Sequence, residues 1–165
     1  MDKFIAVLCL AVGLMGCTDT SRSGYLALTG RVFIFNPRIA EATYVVTLQV
    51  LQQPPAGSRI EAVFDNPAGG DALKVEQKLR SGQTKIALES QPLQCIKKDR
   101  PYGFKVRLLS DNDTELQVIE SSIRSTLDQS VMPDQPLVVG PGYDPNPALK
   151  GNGGGQVLRQ HGCPA

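Results

Sequence analysis

The chain has 165 residues and a formal net charge of +1, with 17 lysine and arginine residues against 16 aspartate and glutamate residues. This balance predicts neither a nucleic-acid surface nor an electrostatic membrane patch. Tryptophan is absent and aromatic residues make up 5% of the chain, so no large stacking site for sugars or bases and no small-molecule substrate is indicated. Once a signal and a tail are set aside, the length fits about one domain.

Residues 1–16 have the pattern of a secretory signal. An uncharged apolar run over residues 4–14 follows Lys3, and it is too short to span a bilayer, which needs roughly 20 apolar residues. The run ends in Leu-Met-Gly-Cys at residues 14–17, and the sequence is polar directly afterwards. The small Gly16 would admit the backbone to a peptidase, and the Cys17 thiol would be the nucleophile that accepts a lipid. These four residues resemble the lipobox of bacterial lipoproteins.

The lipobox resemblance implies cleavage between Gly16 and Cys17, attachment of palmitate-type lipid to Cys17, and anchoring in a membrane. Two or three acyl chains anchor stably, since each buried methylene contributes roughly 0.8 kcal/mol. Thr18 follows the cysteine where aspartate would favour retention, so the sorting rules of Gram-negative lipoproteins imply the periplasmic face of the outer membrane. Residues 17–24 would then be a lipidated tether. The alternatives are an ordinary signal peptide cut nearby and a buried N-terminal helix.

Residues 25–140 contain short β-prone runs separated by turn residues, which predict an all-β domain. The fold class expected is a small antiparallel β-sandwich of about seven or eight short strands, with a small barrel as the alternative. Aromatic and β-branched residues that alternate with polar ones predict that Tyr44, Val46, Phe104 and Val106 lie in the core rather than at an interface. The predicted strands are residues 26–35, 43–51, 60–64, 73–79, 85–88, 102–109, 115–122 and 136–139. For residues 73–79 a pair of helical turns is the alternative to a strand.

Two cysteines remain once Cys9 is removed with the signal and Cys17 is lipidated: Cys95 and Cys163. In an oxidising periplasm an even remainder predicts a disulfide, which would be worth on the order of 4 kcal/mol in the chain-entropy model. Two free thiols, or pairing with a partner, are the alternatives. The bridge would pin a flexible glycine- and proline-rich tail at residues 141–165. No Cys-x-x-Cys spacing occurs, so neither a metal site nor a cofactor is predicted.

Catalytic chemistry is not indicated, and the protein is predicted not to be an enzyme. His161 is the only histidine and lies in the glycine-rich tail, without a Gly-x-Ser-x-Gly elbow elsewhere in the chain. Asp111, Asn112 and Asp113 fit a hairpin turn better than a calcium loop, because the regular ligand spacing and the distal glutamate are missing. The charged loop at residues 97–100 is interpreted as solvated surface, with a partner contact as the alternative.

The order of features resembles the YbaY lipoprotein family and the related YscW-type secretin pilotins. The matching segments are residues 30–32, residues 42–50, residues 85–88 and residues 102–108, with residues 137–141 as the expected closing strand. The resemblance covers about residues 28–141 and implies one small β-sandwich behind a lipidated cysteine. Residues 37–41 depart from the family's Leu-Pro pair, and Cys95, Cys163 and the tail are not family features.

Two functions follow as hypotheses. The first is a non-catalytic protein-binding or assembly module at the envelope, with a pilotin-like or secretion/conjugation accessory role as its sharpest version. Such a module would offer an edge strand or an apolar groove to an envelope protein complex, since sheets commonly recognise partners by strand addition. The second is a structural or envelope-maintenance lipoprotein with no secretion client. Both predict a membrane partner through the N-terminal lipid.

Overall fold

A computed structural model describes residues 24–149 and Cys163 of the chain. These residues form nine strands, and every strand pair is antiparallel, so the all-β prediction is confirmed. The predicted signal (residues 1–16), Cys17 and the tail from residue 150 lie outside the described residues, apart from Cys163. The strands are β1 Leu26–Asn36, β2 Glu41–Val50, β3 Arg59–Phe64, β4 Leu73–Lys78, β5 Lys85–Glu89, β6 Pro101–Leu109, β7 Glu115–Arg124, β8 Val138–Val139 and β9 Asp144–Pro145.

Seven of these strands build the two layers of a sandwich. Sheet A has the order β1-β2-β5, and sheet B has the order β4-β3-β6-β7. The central strands β2, β3 and β6 alternate buried with less buried residues, because successive side chains in a strand point to opposite faces. The apolar and polar residues that alternate in the sequence of these strands therefore point alternately to the core and to the solvent.

The core lies between the two sheets and is built around aromatic side chains. Tyr44 of β2 stacks on Phe64 of β3 with ring centroids 5.1 Å apart, and Phe104 of β6 lies 6.1 Å from Phe64. Val46 and Val106 are also buried, so the expectation that all four predicted positions are core is confirmed. The Tyr44 hydroxyl donates to the carbonyl oxygen of Asp65. Burial raises the pKa of Tyr44 well above its ordinary value, and the nearby Asp65 and Tyr102 raise it further.

One side of the sandwich is closed where edge strands β1 and β7 meet. The Gln117 side chain accepts a hydrogen bond from the Leu26 amide at 2.9 Å and donates one to the Leu26 carbonyl at 2.8 Å. The Gln117 side chain thereby forms the two hydrogen bonds that the Leu26 backbone would otherwise form with a neighbouring strand. Further along the same edge, the Arg31 guanidinium donates to the Ser121 hydroxyl at 3.0 Å.

The segment that follows β7 packs on the turn between β1 and β2. Leu137 and Val138 both donate backbone hydrogen bonds to the Arg38 carbonyl. Strand β8 pairs with β9 and with neither main sheet, so it does not close the sandwich as the family resemblance implied. Because β9 comes after residue 140, ordered pairing continues beyond the boundary expected between domain and tail.

The two ends of the sandwich hold different parts of the chain. Leu26, the first residue of β1, pairs with Val50 at one end, and Asn36 pairs with Glu41 at the other. An antiparallel strand rises about 3.4 Å per residue, so the ends of β1 lie roughly 30 Å apart. Cys95 belongs to the end near Asn36, since its neighbour Leu93 pairs with Ala42 next to the β1–β2 turn. Among the described residues, no helix has the length and apolar character needed to cross a membrane.

Candidate protein-binding face

The outward surface of sheet A carries exposed aliphatic side chains. Val32 and Ile34 of β1 are 50% and 46% exposed, and they lie directly opposite Val45 and Thr43 of β2. Residues that face each other across a strand pair share one side of the sheet. We call this surface the sheet A face, and it consists of Val32, Ile34, Thr43, Val45, Thr47 and Ala87.

A β-bulge in β1 creates this face. The register of β1 with β2 shifts between Leu28 and Gly30, so one extra residue stands on the β1 side. Before the bulge, Leu26 and Leu28 pack against the core, and after it Phe33 and Phe35 do. The single-residue shift therefore turns Val32 and Ile34 towards solvent, since the side-chain period of a strand is two.

Charges are confined to the margins of the sheet A face. Glu89 and Lys85 lie on β5, the edge strand, opposite Val45 and Gln49 of β2. The Thr43 hydroxyl donates to the Glu89 carboxylate at 2.9 Å, which holds that charge beside the face. An uncharged central region with ionic groups at its rim matches the charge distribution of protein–protein contacts.

The outward surface of sheet B is charged, in contrast. Arg107 of β6 forms ion pairs with Glu61 at 3.2 Å and with Glu115 at 2.9 Å, and Lys105 pairs with Glu120 at 2.6 Å. Such exposed pairs contribute little to stability but keep the surface solvated. This network continues to Arg59, which pairs with Glu61 and Asp113. The hydrogen bond that the Arg59 guanidinium donates to the Asp113 carboxylate is the main cause of its raised pKa.

The predicted disulfide residues are brought together at the end of the sandwich near Asn36. Cys95 and Cys163 are joined by a disulfide, with their Cα atoms 5.3 Å apart. Cys95 is buried and has a φ of +66°, a left-handed conformation that few residues other than glycine adopt. Gly16 and Cys17, the predicted cleavage and lipidation residues, lie outside the described residues, as does His161.

The polar loops weighed as ligand sites make local contacts. Asn112 accepts hydrogen bonds from the Ser110 hydroxyl and the Thr114 amide, and Asp113 pairs with Arg59. These partners belong to the hairpin turn itself or to the neighbouring strand. Over residues 24–149 and Cys163, no group of three or more His, Cys, Asp or Glu side chains could hold a metal ion.

The charged loop at residues 97–100 is tied to the end of β7. Lys98 forms an isolated bridge with Ser125, and Arg124 donates to the Asp99 carbonyl at 2.7 Å. The Arg100 guanidinium lies 5.8 Å from the centroid of the Tyr102 ring. These contacts hold the loop against the domain.

Sequence reasoning did not find the sheet A face. The signal was the continuous apolar run at residues 32–35, which breaks the alternation expected of a half-buried strand. Simple alternation from Leu26 would have placed Val32 in the core. Only a bulge near Thr29 explains why Phe33 is buried and Val32 is exposed. Gly30, which weakens a strand and often marks a bulge, was the local cue for it.

Comparison with solved structures gives distant likenesses. No family model matches the chain, and no curated protein matches it. A crystal structure of an endonuclease/exonuclease/phosphatase from Beutenbergia cavernae DSM 12333 is similar over 59% of this chain, with 14% sequence identity and a TM-score of 0.30. The chain spans 28% of the length of that protein. At this TM-score the likeness supports no argument about function.

Proposed function

We propose that the protein is a lipoprotein, anchored through Cys17 at the periplasmic face of the outer membrane, whose β-sandwich is a non-catalytic protein-binding module. The observation that carries the binding role is the sheet A face, an uncharged surface on a paired sheet with Val32 and Ile34 half exposed on its edge strand β1. Exposed aliphatic side chains that cluster on one surface mark interaction sites more often than isolated ones do. The outward surface of sheet B, in contrast, carries ion pairs.

The end of the domain at which residue 24 lies supports this role. Residue 24 precedes β1 at the end where Leu26 pairs with Val50, so a lipid at Cys17 would hold that end towards the membrane. The strands of sheet A run from this end to the Asn36 end, and Ile34 lies near the latter. The face would then stand away from the bilayer, where a protein of the envelope can reach it. A secretin component would be the partner in the pilotin-like version of this proposal.

The anchoring half of the proposal is tested at Cys17. Cys17→Ser should abolish incorporation of labelled palmitate and leave the precursor unprocessed, because serine offers no thiol for the lipid. Gel mobility and radiolabel in whole cells give both readouts, with Cys95→Ser as the matched cysteine control that should keep its label. Palmitate labelling that survives Cys17→Ser would refute the anchor.

The binding half is tested on the sheet A face. A photoreactive amino acid at position 34 should crosslink to a specific envelope protein in whole cells, and Val32→Glu should reduce that adduct about tenfold or more. A buried carboxylate without a partner costs well over 1 kcal/mol, which corresponds to that reduction. Mass spectrometry of the adduct identifies the partner.

Val118→Glu is the matched control for this experiment. Val118 is 38% exposed on β7 and lies opposite Arg107, on the outward side of sheet B. It is thus a valine of similar exposure in a similar strand, outside the sheet A face. Equal adduct yields with Val32→Glu and Val118→Glu would show that the sheet A face is not the binding surface.

A further inference from the structure

We infer that two copies of this chain associate through the free edge of β4, which joins their B sheets into one continuous eight-stranded sheet. The observation that carries this inference is the order of charges along β4, Lys74, Glu76 and Lys78, which lets two antiparallel copies face each other with opposite charges paired. The partner is therefore a second copy of the chain, and the inference is independent of the proposed binding face and of the lipid.

The edge of β4 is open, whereas the edges of β1 and β7 contact each other. Strand β4 is the terminal strand of sheet B and pairs with β3 on one side. Within residues 24–149, no strand pairs with its other side. An edge of six residues with unpaired backbone groups is a template for strand addition.

The backbone groups that face this free edge can be identified. The Lys74 carbonyl accepts a hydrogen bond from the Gln91 side chain, so it points away from β3. Leu79 donates to the Ser58 carbonyl and so points towards β3. Because alternate residues of an antiparallel strand use the same edge, the amides and carbonyls of Lys74, Glu76 and Lys78 face outwards. An added strand would hydrogen-bond at these three residues.

The charges select one register for a second copy. With the two-fold axis at Val75, Lys74 lies opposite Glu76 of the second copy, and Glu76 lies opposite its Lys74. Each opposite-charge pair directly across two strands contributes roughly 0.2–1 kcal/mol. Lys78 lies opposite the uncharged Ala72, and the two Val75 side chains face each other on the inner side of the joined sheet.

The neighbouring registers bring like charges together. An axis at Glu76 would place the two Glu76 carboxylates opposite each other and Lys74 opposite Lys78. An axis at Gln77 would place Glu76 opposite Lys78 but Lys74 opposite Arg80, so its attractive and repulsive pairs cancel. Like charges directly opposite are destabilising, so the Val75 register is the most favourable of the three. Lysine residues alone would protect the edge from any pairing, whereas the interposed Glu76 leaves the Val75 register attractive.

Gln91 competes with the second copy. Its side-chain amide occupies the Lys74 carbonyl at a distance of 2.8 Å. In the joined sheet that carbonyl accepts from the Glu76 amide of the second copy, so the Gln91 side chain has to move away. Gln91 is exposed and can rotate into solvent. Gln91→Ala should therefore strengthen association about tenfold, because one exposed hydrogen bond in each copy no longer has to be broken.

Single cysteines on β4 test the register in the full-length chain. Val75→Cys places two cysteines at a non-hydrogen-bonded pair, where the Cα atoms lie about 4.5 Å apart, within the range for a disulfide. Gln77→Cys is the matched control, since its two copies are four residues apart along the strands, roughly 13 Å. Mild oxidation should give a covalent dimer with Val75→Cys and not with Gln77→Cys on non-reducing gels. Absence of the Val75→Cys dimer, or equal dimer from both, overturns the inference.

Charge exchange tests the same register without new thiols. Lys74→Glu and Glu76→Lys should each weaken self-association about tenfold by sedimentation analysis, since each replaces two attractive pairs with two repulsive ones. The double variant exchanges the charges and should recover the original affinity. Lys78→Glu is the control and should change it little. A double variant no better than the single ones, or a Lys78→Glu loss as large as that of Lys74→Glu, overturns the inference.

Discussion

Replacement of Phe64 by alanine is expected to lower the free energy of unfolding by about 3–5 kcal/mol. Phe64 ends β3, which lies between β4 and β6 in sheet B, and its side chain is fully buried. The ring is stacked on Tyr44 with a 15° angle between the ring planes, so it joins the two layers of the sandwich. Alanine would leave a cavity that the paired strands on both sides of β3 cannot close by collapsing.

Equilibrium unfolding in urea measures this loss, and Val118→Ala provides the control. Val118 is exposed on β7, so its truncation should change the free energy of unfolding by no more than about 0.5 kcal/mol. The two variants remove side chains from strands of the same sheet and differ in burial. A loss below about 1 kcal/mol for Phe64→Ala would contradict the packing described here.

The strands could be predicted because their burial alternates along the chain. In β2, Tyr44, Val46 and Leu48 are fully buried while the residues between them are partly exposed, and this period of two is visible in the sequence. The hairpin of β6 and β7 was predictable for the same reason, with Asp111, Asn112 and Asp113 as turn residues. In β4, whose residues are all at least partly exposed, the pattern was weaker and the strand only slightly preferred over a helix.

The pairing of these strands could not be predicted from local pattern. Strand β2 pairs with both β1 and β5. Two strands of sheet B, β3 and β4, lie between β2 and β5 in the sequence. Gln117 reaches Leu26 across 91 residues of sequence, and a glutamine in a strand gives no sign of such a partner. Strand order and edge closure depend on contacts between distant segments, whereas alternation reports only on neighbours along one strand.

The candidate site was missed because it depends on a register shift. Alternation predicts which residues of a strand share a face, but a bulge exchanges the two faces beyond it. The bulge between Leu28 and Gly30 thus decides that Phe33 is buried and Ile34 exposed. The free edge of β4 could not be predicted either, because the sequence does not show which strand is the terminal strand of sheet B.

Removal of the Cys95–Cys163 bridge is expected to lower the free energy of unfolding by about 4 kcal/mol. The bridge spans a sequence separation of 68 residues, which includes β6, β7 and the segment that packs on the β1–β2 turn. In the chain-entropy model its main effect is to restrict the unfolded chain. The Cys95→Ala/Cys163→Ala variant should therefore keep its sheet content by circular dichroism while it unfolds at lower urea concentration.

Thiol alkylation without reductant is the matched chemical measurement for the bridge. The wild-type protein should leave both Cys95 and Cys163 unmodified, and alkylation of both would contradict the bridge. Phe64→Ala acts on packing in the folded state, whereas loss of the bridge acts mainly on the unfolded state, so the two losses should be nearly additive. Together they approach the whole stability of an ordinary domain, about 5–15 kcal/mol. The combined variant should thus be largely unfolded if the wild type is less stable than about 7–9 kcal/mol in urea, and recovery of a cooperatively folding variant from such a wild type would show that one of the two contributions is overstated.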